Sequence, residues 1–341
     1  MNIVIIGAGA VGGIIAGYLS NDNYEIQLVC KHKNIQEAIE NNGLRIEGIK
    51  DNIISYPDMV LDISQINEKP DIVLLAVKAT EVEEVAKKVL PFLKEDTAVI
   101  SLQNGICEKR IAEIIRPDRT IGCVVGWGAT MLNPGKMELT SSGEFIIGEL
   151  NGEVTQRILI IKSLLEKVLP VEISTNIYGA LFSKLIINSC TTTLGAISGL
   201  YLGEMLKLKV ARDVFLSIFS EAVPVAEAMN IKLEKIGGKI DPYNFVKTEK
   251  ESNEKFSFSL LKKHLTMLAI GFKYRRLKSS SLQSLERGKP TEIDFLNGYI
   301  VEKARENNLP ATINQRLVSL VKDIEAGKLK IGPENLKRIL N

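Results

Sequence analysis

The sequence predicts a doubly wound α/β N-terminal half followed by an all-α C-terminal half. Short apolar runs alternate with helical periodicity over the first hundred residues. Strands punctuated by turn residues follow from Thr120, and from Ile177 the periodicity is almost wholly helical. At 341 residues the chain exceeds one ordinary domain and suits two, each large enough to bury its own core. The expected division is 1–174 and 175–341, with the boundary near residues 170–176.

The first strand is Ile3-Val-Ile-Ile6, ended by Gly7 and followed by a helical stretch from Val11 to Ser20. A second run, Glu25 to Cys30, ends in Lys31-His32-Lys33; a third, Asp71 to Val77, ends in Lys78. After a helical segment from Glu81 to Leu93, a fourth run, Ala98 to Leu102, ends in Gln103-Asn104-Gly105. Such runs separated by helices mark βαβ units around a buried parallel sheet. Beyond Thr120, runs at Cys123–Gly126, Lys136–Leu139 and Phe145–Gly148, with a Ser141-Ser-Gly143 turn, predict hairpins closing the sheet edge. Helices are expected at 177–198, 204–229, 253–285, 290–307 and 312–326, with Gly237-Gly238 as a flexible join.

Composition narrows the function classes. A formal charge of +2 with 25% charged residues gives no global basic surface, so no nucleic-acid partner is expected. The cysteines Cys30, Cys107, Cys123 and Cys190 form no Cys-x-x-Cys pair. Free thiols, no metal site and a cytoplasmic location are the expectation. The first strand starts at Asn2 without a basic leader, so no signal peptide is expected. Residues 185–202 carry no charge, yet Asn188, Ser189 and Thr191 to Thr193 make a buried helix a better reading than a membrane span.

Gly7-Ala8-Gly9-Ala10-Val11-Gly12 follows a strand and opens a helix, the arrangement of a Rossmann-like dinucleotide site. The first glycine makes the tight turn, the second admits a pyrophosphate to the backbone, and the third lets helix and strand pack closely. NAD-preferring folds place an acid at the end of the second strand. Here that place holds Lys31-His32-Lys33, two lysines and no carboxylate, so NADP(H) is the expected cofactor.

Only His32, at the expected adenosine end of the cofactor, and His264, in a Lys-Lys-His run outside any recognisable site pattern, could serve as an imidazole acid. A lysine becomes the candidate proton donor. Lys184 and Asn188 are i, i+4 neighbours on one face of a largely apolar helix, where desolvation would bring a lysine toward a useful pKa. An ordinary half-buried, snorkelling lysine is the competing reading.

These features taken together resemble the ketopantoate reductase (2-dehydropantoate 2-reductase) family. The resemblance rests on Gly7 to Gly12, Ala76-Val-Lys78, Gln103-Asn-Gly105, the Lys184 to Asn188 helix, and the block Ser279-Ser-Ser-Leu-Gln-Ser-Leu-Glu-Arg-Gly-Lys-Pro-Thr-Glu-Ile-Asp-Phe-Leu-Asn-Gly298. It implies that hydride passes from NADPH to the keto carbon of 2-dehydropantoate, giving pantoate for pantothenate and coenzyme A synthesis. It implies that Lys184 protonates the nascent alkoxide, and that Glu292 orients the substrate hydroxyl, holds Lys184 charged and reaches the cofactor. By the same resemblance Asn188 and Ser280 bind substrate, and Asn104 lies between nicotinamide and substrate. Lys78 and Lys31 bind the cofactor, Lys31 at the 2′-phosphate. The implied partner is a small 2-oxo acid, and a homodimer is the assembly it allows.

Two departures leave alternatives open. Thr192 and Leu202 stand where some members of the family carry asparagines, which suits a different 2-oxo acid. A stretch of about 237–278, longer than in compact members of the family, carries Lys262, Lys263, Lys273, Arg275 and Arg276 without an acid from Lys255 to Lys278. It reads as a solvated face, a carboxylate attractor or a partner surface. A non-catalytic NADP-binding sensor is the rival from another class.

Overall fold

The computed structural model describes residues 1–235, 237, 240–248, 251 and 257–340, in two compact units, Met1–Leu181 and Phe182–Asn341. Gly238 of the expected join lies outside the described residues, as do positions 253–256 of the expected helix, with Lys255 and Phe256.

The first unit is built on β1 (Ile3–Ile6), β2 (Ile26–Val29), β5 (Asp58–Val60), β6 (Ile72–Leu75), β7 (Ala98–Ser101), β8 (Thr120–Val125), β11 (Phe145–Glu149) and β12 (Val171–Ile173). Among the described residues these form one sheet in the order β12-β11-β8-β7-β6-β1-β2-β5. Every pairing is parallel except β8 with β11. All four residues of β1, β6 and β7 are buried, the physical reason these strands read as unbroken apolar runs. The chain moves outward from β1 to β2 and β5, then crosses back to β6 on the other side of β1. That reversal is where doubly wound sheets open a crevice at their carboxyl ends. α1 (Ala10–Asn21), α2 (Lys33–Asn42), α3 (Val82–Val89), α4 (Glu108–Ile115) and α5 (Gln156–Leu165) complete the unit.

The hairpin expectation needs correction. Of the expected runs, Cys123–Gly126 (up to Val125 in β8) and Phe145–Gly148 (in β11) join the main sheet as an antiparallel pair; β9 (Gly128–Asn133) and β10 (Lys136–Ser141) pair instead in a second sheet of order β4-β3-β10-β9, with β3 (Leu44–Gly48) and β4 (Ile53–Ser55). Alternation explains the difference: Leu44 and Ile46 of β3, and Met137 and Leu139 of β10, are almost fully buried while the residues between them within each strand are not. This half-buried face packs on α1, where added Cβ atoms at Gly13 and Gly17 would meet Met137 and Ile46 within 3 Å.

The second unit is helical, with α6 (Ile177–Ser198) extending into it from the first. α7 (Leu202–Lys207), α8 (Lys209–Ala228), α9 (Phe258–Lys273), α10 (Ser280–Glu286), α11 (Asn297–Glu306) and α12 (Thr312–Glu325) follow. The single helix expected over 204–229 is two, because Leu208 is extended and Arg212 folds back to donate to the carbonyls of Leu206 and Lys207. The helix expected through 285 likewise breaks, and Ser279 caps its second piece by accepting from the Leu282 amide at 3.0 Å. α6 is long and apolar enough to cross a membrane, but 78% of its apolar window is buried inside the protein, as in a core helix.

Candidate functional site

The carboxyl ends of β1, β2, β6 and β7 gather the residues expected at a dinucleotide. Gly7 has φ +114 and donates its amide to the Val29 carbonyl at 2.9 Å; a Cβ there would lie 2.8 Å from the Ala76 backbone. In front of Gly9 a Cβ would meet nothing within 4 Å, leaving the backbone open to a phosphate. At Gly12 a Cβ would sit 2.0 Å from the Gly7 carbonyl oxygen and 2.8 Å from the Ala76 Cβ. Buried Ala8 closes the turn, while Ala10 and Val11 begin α1. The cradle fits a pyrophosphate at a helix N-terminus. Gly12→Ala should cost about 2 kcal/mol and weaken dinucleotide binding, checked by urea unfolding and nicotinamide fluorescence.

Lys31 stands just past β2, Lys78 past β6 and Asn104 past β7. Gln103, which the sequence marks only as part of the Gln103-Asn104-Gly105 run, has a structural role. Its side chain is buried and donates to the Leu75 carbonyl at 2.7 Å and the Val77 carbonyl at 3.0 Å, and its oxygen accepts from Ser101 at 2.9 Å. It therefore ties the ends of β6 and β7 together and fixes the backbone at Lys78 and Asn104. Lys31 Nζ forms an ion pair with Glu81 Oε1 at 2.6 Å. Burial pushes the Cys30 thiol up, against the His32 and Ala8 backbone and Lys31, so this neighbour stays neutral.

Lys184, Asn188, Ser280 and Glu292 belong to the second unit. Between Phe182 and Thr193 of α6 the half-buried positions are Lys184, Ile187, Asn188 and Thr191, while Leu185, Ile186, Ser189 and Cys190 are buried. The i, i+4 pair read from the sequence is thus the accessible face of a core helix. Thr192 and Leu202 are buried.

Two contacts, from Ser279 and Asn297, bring the segments that carry Ser280 and Glu292 to the same helix. An added Cβ at Gly195 would meet Ser279 at 2.7 Å, so this glycine lets the cap of α10 press against α6. The serine triplet divides its work: Ser279 caps, Ser281 is buried and Ser280 is exposed. On the other side, Asn297 at the start of α11 donates to the Ser189 carbonyl at 3.2 Å and to Asn314 Oδ1 at 2.8 Å, and accepts from Thr193 Oγ1 at 2.5 Å. Asn314 in turn donates to Glu221 of α8 at 2.7 Å.

Four helices therefore meet in one buried polar network five residues beyond Glu292. Glu292 is also held on both flanks: Thr291 donates its amide and hydroxyl to Glu325, each at 2.7 Å, and Asp294 pairs with Lys322 at 2.7 Å. Asn297→Leu would strand Asn314, Thr193 and the Ser189 carbonyl. It should lower stability by about 3 kcal/mol, read as the urea midpoint.

Residues 3–152 match the family described as ketopantoate reductase PanE/ApbA, and residues 176–325 match the ketopantoate reductase PanE/ApbA C-terminal family. The 2-dehydropantoate 2-reductase of Pyrococcus horikoshii is 30% identical over 329 residues, covering 96% of this chain and 98% of that protein. The crystal structure of a PanE/ApbA family ketopantoate reductase from Ralstonia eutropha superposes with a TM-score of 0.81 at 28% identity, covering 96% of this chain and 99% of that one. D-mandelate dehydrogenase, solved with NADH and anilino(oxo)acetate, shares the fold with a TM-score of 0.78 at 22% identity, covering 96% and 99%. With both halves of the chain matched and a relative aligned over nearly its whole length, the protein belongs to the ketopantoate reductase family of oxidoreductases.

Proposed function

We propose that the protein reduces 2-dehydropantoate to pantoate in the cytoplasm, with NADPH as the reductant, and so serves pantothenate and coenzyme A synthesis. The observation that carries this reading is the accessible face of α6, which presents Lys184 and Asn188 while contacts from Ser279 and Asn297 bring the Ser280 and Glu292 segments to the same helix. When bound, the reduced nicotinamide supplies the hydride. The turn from Gly7 to Gly12 holds the pyrophosphate, Lys31 and Lys78 contribute positive charge, and Asn104 borders nicotinamide and substrate.

Lys184 delivers a proton to the oxygen that was the keto group and stabilises its developing charge. Asn188, Ser280 and Glu292 orient the substrate, and the Glu292 carboxylate favours the charged form of Lys184.

The test is NADPH oxidation, followed at the nicotinamide absorbance, with 2-dehydropantoate beside pyruvate, 2-oxoisovalerate and phenylglyoxylate. Turnover at least about a hundredfold faster on 2-dehydropantoate is expected, the scale of discrimination set by buried hydrogen bonds. Preference for another acid would reassign the substrate; tight NADPH binding with no turnover on any would favour a sensor.

A further inference from the structure

The sequence offers two lysines and no acid at the end of β2, which reads as a site for an adenosine 2′-phosphate. The fold changes that balance by bringing in carboxylates from elsewhere. Lys31 Nζ lies 2.6 Å from Oε1 of Glu81, fifty residues on, in the turn Ala79–Glu81 that follows β6. Lys33 is likewise 3.5 Å from Glu37, one turn along α2. Glu84 lies in the same neighbourhood, paired with Lys88 at 2.6 Å, and its carboxyl is held below the usual range chiefly by Lys88 and in smaller part by Lys31. The cluster that reads as cationic from sequence is close to neutral in space.

We propose that Glu81 is a specificity-determining residue that weakens discrimination for NADPH over NADH; the inference rests on the dinucleotide reading above. The Glu81 carboxylate already occupies the Lys31 ammonium, so a 2′-phosphate must displace it and then share the neighbourhood with a displaced negative charge. A ribose 2′-hydroxyl can instead donate to such a carboxylate, as in folds that choose NAD. The chain therefore binds both cofactors, with Lys31 favouring the phosphate and Glu81 opposing it. Both side chains are exposed, so solvent screens the effect to about fivefold to tenfold and salt reduces it further.

The experiment titrates NADPH and NADH into wild-type protein, Glu81→Gln and Lys31→Gln, following nicotinamide fluorescence at low and at moderate salt, with no substrate present. Glutamine keeps the size and hydrogen-bonding reach of Glu81 and removes its charge. The expected result is an NADPH to NADH affinity ratio raised about fivefold to tenfold in Glu81→Gln, lowered in Lys31→Gln, and less altered at higher salt. Binding of both cofactors with a ratio unchanged by Glu81→Gln would overturn the role of Glu81 alone. Binding of NADPH with no binding of NADH would overturn this inference and leave the dinucleotide reading standing, whereas failure of both cofactors to bind the wild-type protein would overturn the two together.

Discussion

Lys184→Ala is expected to lower kcat for 2-dehydropantoate reduction at least about a hundredfold, or roughly 2.7 kcal/mol of transition-state stabilisation. The substitution removes both the proton and the positive charge at the developing alkoxide, neither of which water replaces in a positioned way. NADPH affinity should stay within about twofold, because the dinucleotide cradle is built from other residues. Lys184→Arg should not restore the rate, since a guanidinium holds its proton too firmly to act as an acid. Lys184 lies on the half-buried face of α6, so the unfolding midpoint of the alanine variant is measured beside its activity. An unchanged unfolding midpoint beside a lost kcat would separate chemistry from stability.

Glu292→Gln is expected to cost a similar factor, at least about a hundredfold in kcat/KM. Glutamine keeps the shape and loses the charge, so it tests electrostatic support of Lys184 and orientation of the substrate without opening a cavity. The backbone on either side remains fixed, through Thr291 on Glu325 and Asp294 on Lys322, so the amide should sit where the carboxylate sat. Circular dichroism should match the wild type. A kcat/KM within threefold of wild type would remove Glu292 from the catalytic set and leave it as a surface-facing start of the following turn.

What was legible in the sequence is what is encoded locally. The turn at Gly7 and the close approach at Gly12 depend on residues within one strand, one turn and one helix, and their spacing alone states the geometry. Lys184 and Asn188 were legible for the same reason, as two polar residues one helical turn apart in an apolar helix. Glu81 was not, because only the crossover through β6 carries it to Lys31. The Asn297 network was equally hidden: Thr193, Glu221, Asn297 and Asn314 sit on four helices, and only packing reveals that they satisfy one another.

The second sheet shows an intermediate case. The alternation in Leu44-Arg-Ile-Glu was present in the sequence, but its partner strand β10 lies nearly a hundred residues away, so the pairing was not. Thr192 and Leu202 are buried, a placement that their residue types alone do not state.

The most direct test is a single turnover, with enzyme in excess over NADPH and saturating 2-dehydropantoate, wild type beside Lys184→Ala. Complete nicotinamide oxidation with stoichiometric pantoate is expected in the wild type, and a rate constant at least about a hundredfold smaller in the variant at equal NADPH binding. Equal rate constants in the two proteins, or bound NADPH that the wild type leaves unoxidised, would contradict the proposed function.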